Sequence, residues 1–165
     1  MSGRKTLTAF LDRDGTINEK APEGEYVTSL SQFRYLPGAE QAIRLLADAG
    51  WRVVVVTNQR GIALGRMTAE AVDEIHRRLL ELPVAAVYVC PHEKGVCDCR
   101  KPGTGLFLQA QRDFPEIDFG RSVVIGDAPS DMAAGDAVGC RTILVGAPPL
   151  PSLLDAAERL VGERR

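Results

Sequence analysis

No apolar run in the chain approaches the ~20 residues that a helix needs to cross a bilayer. The apolar stretch behind the basic start, "MSGRKTLTAFLDRDG", is far too short for a signal peptide. A basic excess is missing as well. Lys and Arg number 20 against 22 Asp and Glu, for a formal net charge of −2, whereas a nucleic-acid surface usually carries surplus positive charge. There is no internal repeat, low-complexity tract or interdomain linker, and no coiled-coil seam or long apolar edge stands out. Cysteine is sparse, with four in 165 residues. These absences exclude a membrane span and argue against a nucleic-acid partner. What remains is a soluble, cytoplasmic monomer, in which thiols are available to metal rather than to disulfides. At 165 residues and 45% hydrophobic, the chain suits one domain with one sizeable core, spanning 1–165.

Strand-like and helix-like segments alternate. "TLTAFLD", "RVVVVTN", "VAAVYVC", "SVVIGD" and "RTILVG" read as strands, and the unbroken β-branched second run suits a strand buried on both faces. Between them, "PGAEQAIRLLADAGW" reads as a helix stopped at Gly50, and "TAEAVDEIHRRLLEL" as a helix N-capped by Thr68. "TGLFLQAQRDF", "PSDMAAGDAVG" and "PSLLDAAERLV" supply three more helices. The rhythm predicts a three-layer α/β/α, Rossmann-like fold around a central parallel sheet. Ligands in such sheets sit at the carboxyl ends of the strands.

The strand ends are rich in chemistry. The first closes on "LDRDGT", so Asp12 and Asp14 lie at the mouth of the sheet, and Gly15 permits a sharp turn behind them. Paired carboxylates suit a bound cation or acid–base work; Asp-Gly is also common in plain turns. The second closes on "TNQRG", with the Thr57 hydroxyl and backbone amides that can cradle an anion. The fourth closes on "GDAPSD", where Asp127 or Ser130 can alternatively start a helix as its N-cap. Taken together with Lys101, these ends form a site for magnesium and a phosphate.

The segment "CPHEKGVCDCRKP" places Cys90, His92, Cys97 and Cys99 within ten positions. These are the ligand types of a Cys₃His zinc site. A disulfide between Cys97 and Cys99 would be strained at that separation. With four protein ligands the metal has no open position, so its part is structural: it folds a loop (90–99) that has little core of its own. Arg100 and Lys101 follow at once, and zinc would pin the chain just ahead of them. Cys140 reads as a buried small residue, Trp51 as core, and His76 as a surface or groove residue that ligates nothing.

"DRDGT", "TNQ", "CRKP" and "GDAPSD", in this order, resemble the four motifs of the haloacid dehalogenase superfamily of phosphatases. The zinc loop joined to "RKP" resembles the branch that holds the heptose bisphosphate and histidinol-phosphate phosphatases. The likeness covers about residues 8–146. It implies a magnesium-dependent phosphatase working through an aspartyl-phosphate, with no large cap domain. Asp12 would be the nucleophile and Asp14 the acid and base. The Asp12 carboxylate, the Asp14 backbone carbonyl and Asp127 would hold the metal. Thr57 and Lys101 would stabilise the transferring phosphoryl group. Arg100 would recognise the rest of the substrate, Asn58, Gln59 and Arg60 would line the pocket, and Asp131 would support Asp127. The implied substrate is a small phosphorylated sugar, D-glycero-D-manno-heptose 1,7-bisphosphate, losing its C7 phosphate. The rival readings are a histidinol-phosphate phosphatase, a polynucleotide 3′-phosphatase and a non-catalytic zinc-stabilised binding domain. The loop "NEKAPEGEYV" is a few residues longer than the heptose pattern, and position 128 is Ala where that pattern carries a basic residue.

Overall fold

The computed structural model describes residues 5–164; residues 1–4, with part of the basic start, and Arg165 lie outside it. Five strands, β1 (Thr8–Leu11), β2 (Arg52–Asn58), β3 (Ala86–Cys90), β4 (Val123–Gly126) and β5 (Arg141–Leu144), form one parallel sheet in the order β3-β2-β1-β4-β5. The helices are α1 (Ala39–Asp48), α2 (Ala69–Leu79), α3 (Gly105–Asp113), α4 (Pro129–Val138) and α5 (Leu153–Glu163). The α/β/α architecture predicted from the segment rhythm is the one found.

Alternation along the strands creates two cores, because successive side chains point to opposite faces. Ala9, Leu11, Val53, Val55, Val123 and Ile125 pack with residues of α1, α2 and α5. Phe10, Val54, Val56 and Val124 face the other way and pack with α3 and Ala134 of α4. Val53 through Val56 are all buried, which is why β2 shows no polar alternation. Trp51 and Cys140 are buried among these residues, as expected.

Helix boundaries follow local chemistry. The Thr68 hydroxyl accepts the Ala71 N–H at 3.0 Å and caps α2. At α4 the cap position is Ala128, and the Asp131 carboxylate reaches back to accept the Ala128 N–H at 3.1 Å. Neither Asp127 nor Ser130 starts this helix. Asp127 is therefore free for another task.

The strand order puts β1 between β2 and β4. The chain winds outward from β1 through β2 to β3, then crosses back to β4 on the other side of β1. The crevice where this reversal falls lies over the carboxyl ends of β1 and β4, the usual ligand position in such sheets. The segment from Asp12 to Gly38 contains only one 3₁₀ turn (Leu30–Gln32), so no cap domain covers the crevice from there.

Phe107 is fully buried and meets Phe10 edge-on at 5.1 Å between centroids. Phe107→Ala is expected to destabilise the protein by about 3–5 kcal/mol, read from the midpoint of urea unfolding.

Candidate active site and metal loop

The turn after β1 is wound tightly. The Arg13 carbonyl accepts the N–H groups of Thr16, Ile17 and Asn18 at 3.1, 2.8 and 3.2 Å. This directs Asp12 and Asp14 into the crevice. Gly15 has φ +84°, and a Cβ there would lie 2.2 Å from Asp127 Oδ2. Only glycine lets the β1 turn approach Asp127 so closely. Gly126 does the same at the end of β4, where a Cβ would lie 2.3 Å from Asp131 Oδ2.

Lys101 lies at the centre, with 2% of its side chain exposed. Its ammonium has three protons and three acceptors: Asp12 Oδ1 at 2.9 Å, Asp131 Oδ1 at 2.6 Å and the Val56 carbonyl at 2.8 Å. Burial disfavours charge on Lys101, but Asp12 and Asp131 outweigh it and raise its pKa. Burial likewise opposes ionisation of Asp12, and the Lys101 charge prevails, holding the carboxyl below its usual range. An ionised Asp12 is the form a nucleophile needs.

The carboxylate oxygens of Asp12, Asp127 and Asp131 come within 4.8 Å of one another. Asp131 is occupied by Lys101 and the Ala128 N–H. Asp127 is not saturated: its Oδ1 is buried with no hydrogen-bond partner among the described residues. Its Oδ2 accepts from Lys20 Nζ at 3.0 Å. Burial, with Asp12 beside it, pushes Asp127 up to about 6. Two crowded carboxylates with a spare oxygen lobe form a hard-oxygen donor set, and they fit a small dication such as magnesium.

The residues after Thr57 are used differently from one another. Gln59 Nε2 donates to Asp14 Oδ2 at 2.9 Å and to Thr57 Oγ1 at 2.8 Å. Thr57 thus accepts from Gln59 and keeps its own proton to give. Asn58 borders the cleft, yet its amide is spent on Lys101: Nδ2 donates to the Lys101 carbonyl at 3.2 Å, and Oδ1 accepts the Lys101 N–H at 3.0 Å. It is a clamp between β2 and the "RKP" segment. Arg60 is turned onto Glu93 of the metal loop and does not border the cleft. Arg100 lies on an adjoining cavity with Lys94, Lys101 and Ser130, and its Nη1 is buried without a partner among the described residues. The main cleft measures about 410 Å³ and is bordered by Asp12, Asp14, Lys101 and Asp127, with Lys20 and Tyr26 from the long loop after β1.

Cys90, His92, Cys97 and Cys99 converge. Cys90 Sγ lies 3.0 Å from Cys99 Sγ and 3.6 Å from Cys97 Sγ. His92 Nδ1 lies 3.1 Å from Cys99 Sγ and 3.5 Å from Cys90 Sγ. No disulfide forms. A tetrahedral zinc with Zn–S of about 2.3 Å has S···S edges of roughly 3.8 Å; the Cys90–Cys97 pair is near that edge and the Cys90–Cys99 pair is closer together. The cluster is compatible with zinc.

Two groups to which the sequence assigned no role at the site matter here. Among the described residues Arg13 has the largest fully buried side chain, and His76, expected to be a surface or groove residue, is 5% exposed and bonded to it at 3.1 Å. His76 lies inside because α2 turns that face onto the β1 turn. A charged residue between two acids looks like a solvated turn in one dimension, and a lone His in a charged helix looks exposed. Neither carried a signal of burial.

A profile of hydrolases described as "HAD-hyrolase-like" matches residues 98–147. The D-glycero-alpha-D-manno-heptose-1,7-bisphosphate 7-phosphatase of Mycobacterium bovis is 39% identical over 160 residues, covering 90% of this chain and 84% of the relative. The D-glycero-beta-D-manno-heptose-1,7-bisphosphate 7-phosphatase of Escherichia coli O6:H1 is also 39% identical, over 167 residues, covering 90% and 85%. Among solved structures, the D,D-heptose 1,7-bisphosphate phosphatase from B. bronchiseptica, complexed with magnesium and phosphate, superposes with a TM-score of 0.84. It is 30% identical and covers 95% of this chain and 99% of that one. The chain belongs to this family of haloacid dehalogenase-like phosphatases.

Purified protein is expected to carry one zinc per chain by elemental analysis. Cys97→Ser should reduce that to below half and lower the melting temperature, because the loop has little else to hold it. Lys101→Met leaves Asp12 and Asp131 facing each other without their cation. At pH 7 without added divalent metal it is expected to destabilise the fold by about 3 kcal/mol in urea unfolding.

Proposed function

We propose that this protein is a magnesium-dependent phosphatase that removes the C7 phosphate of D-glycero-D-manno-heptose 1,7-bisphosphate through an aspartyl-phosphate on Asp12. One observation carries the reading. An ionised Asp12, Asp14 two residues on, an unsaturated Asp127 and the buried Lys101 meet at one crevice, in a chain 39% identical to phosphatases of that sugar over 90% of its length. Residues 1–165 act as one domain, with 90–99 as a zinc loop.

The Asp12 carboxylate attacks phosphorus; the Asp12 O–P bond forms and the bond from phosphorus to the sugar oxygen breaks. Asp14 gives its proton to that oxygen. Asp14 then takes a proton from water, which attacks phosphorus, breaks the acyl phosphate and restores Asp12. A bound magnesium ion, held by the carboxylates of Asp12 and Asp127 and the carbonyl of Asp14, supplies positive charge against the phosphoryl oxygens. Lys101 and Thr57 are placed to follow the charge. As Asp12 loses its charge to the new bond, the Lys101 N–H that donated to it turns to hydrogen-bond a phosphoryl oxygen, and the proton stays on nitrogen. The Thr57 hydroxyl, already accepting from Gln59, donates to another.

Arg100, with an unpartnered buried nitrogen in the adjoining cavity, suits the second phosphate. Lys20, paired with Asp127, adds positive charge at the border of the main cleft. Position 128 is Ala and adds none. Relatives named for the alpha and for the beta anomer match equally well, so pocket shape decides between them.

Phosphate release at neutral pH with magnesium tests this proposal against both heptose 1,7-bisphosphate anomers, histidinol phosphate and a 3′-phosphorylated oligonucleotide. The expected result is strong preference for one heptose bisphosphate, with Asp12→Asn inactive. Preference for histidinol phosphate, or turnover that survives Asp12→Asn, would overturn it.

A further inference from the structure

Arg13 has none of its side chain exposed, and a buried guanidinium must find acceptors or destabilise the fold. It finds them in two directions. Nε and Nη2 donate to Asp14 Oδ1 at 3.2 and 2.8 Å. Nη1 meets His76 Nε2 at 3.1 Å. The guanidinium carbon lies 5.9 Å from the centre of the Phe33 ring. Arginine can only donate, so His76 Nε2 must be the acceptor and the imidazole neutral. Burial, reinforced by the Arg13 charge, pushes His76 down to about 3 and keeps it so. Asp14 Oδ1 also accepts from Asn18 Nδ2 at 2.9 Å, and Oδ2 from Gln59.

We propose that His76 is a positioning residue for the phosphatase reaction: by accepting Nη1–H it fixes the Arg13 fork, and the fork fixes the direction of the Asp14 carboxylate in the cleft. The inference rests on Asp14 being the acid and base. It assigns a role to a residue of α2 that touches neither substrate nor metal. Without an acceptor at position 76, Nη1 is unpaired in the interior, and the guanidinium turns to satisfy it. Asp14 then loses its forked contact. The consequence is poorer proton transfer, not poorer binding.

The test is the split between kcat and KM. His76→Leu is expected to lower kcat about 10-fold or more, with KM within threefold of wild type. His76→Gln carries an amide oxygen close to the Nε2 position and should restore kcat to within threefold. His76→Asn is too short and should not. Val72→Ala, a buried change one turn before His76 on the same helix, reports what loss of stability alone does. It should lower the melting temperature and leave kcat unchanged. If His76→Leu does not fold, the contrast between His76→Gln and His76→Asn still decides. Equal kcat for those two, kcat unchanged in His76→Leu, or a matching kcat loss in Val72→Ala would overturn the inference. Asp14→Asn separates its failure from that of the functional reading. If Asp14→Asn is inactive while the His76 variants behave alike, the reading stands and the positioning role falls. If Asp14→Asn retains full turnover, both fall.

Discussion

Everything at the crevice depends on one buried ammonium. Lys101 places a positive charge in the interior and satisfies each of its protons with an acceptor from a different part of the chain: Asp12 after β1, Val56 within β2 and Asp131 on α4. Such a centre adds little net stability, because desolvating the charges offsets much of their attraction. Its importance is geometric. With three acceptors taken from three elements, no element can shift without leaving a charge unpaired in the interior. The same arrangement keeps Asp12 ionised, so the contact that locks the strand ends together also holds Asp12 in the form that its proposed role as nucleophile needs.

The rest of the site serves to deliver that lysine. It follows directly on the Cys₃His loop and is held by the two-way clamp of Asn58 on its backbone. A loop with so few apolar contacts cannot hold a charged side chain in place by burial alone. Crosslinking by a metal offers an ordering force that does not need a core. On the opposite side, Gly15 and Gly126 remove the side chains that would keep Asp127 and Asp131 at a distance. The crevice is crowded by design of the backbone, and that crowding leaves Asp127 with an oxygen that no donor among the described residues satisfies.

A quieter framework lies behind the first. Arg13 points away from the cleft and into the protein, where His76, Phe33 and Asp14 surround it. Gln59 links Asp14 to Thr57. Asp14 is thus held from both sides by side chains that themselves have fixed partners. The long loop after β1 is left to carry Lys20 and Tyr26 over the cleft, where variation changes what the site accepts more than what it does.

Much of this was legible in one dimension. The alternation of apolar runs with helical patterns determines an α/β/α sheet, because runs such as "RVVVVTN" can be buried only on both faces. Polar residues at the ends of those runs must then gather at one edge, which identifies Asp12, Asp14, Thr57 and Asp127. The spacing of Cys90, His92, Cys97 and Cys99 was enough to bring out a candidate metal loop, and the four converge in a cluster compatible with zinc. Other features were decided by the tertiary structure. Asn58 became a clamp and Arg60 an ion-pair partner of Glu93, because those contacts come from residues 30 to 45 positions away. His76 and Arg13 went inside because α2 packs over the β1 turn, and no periodicity in the sequence distinguishes an inward charge from a solvated one. Residue types and local spacing settle which chemistry is possible; the packing of distant segments settles which groups are left free to perform it.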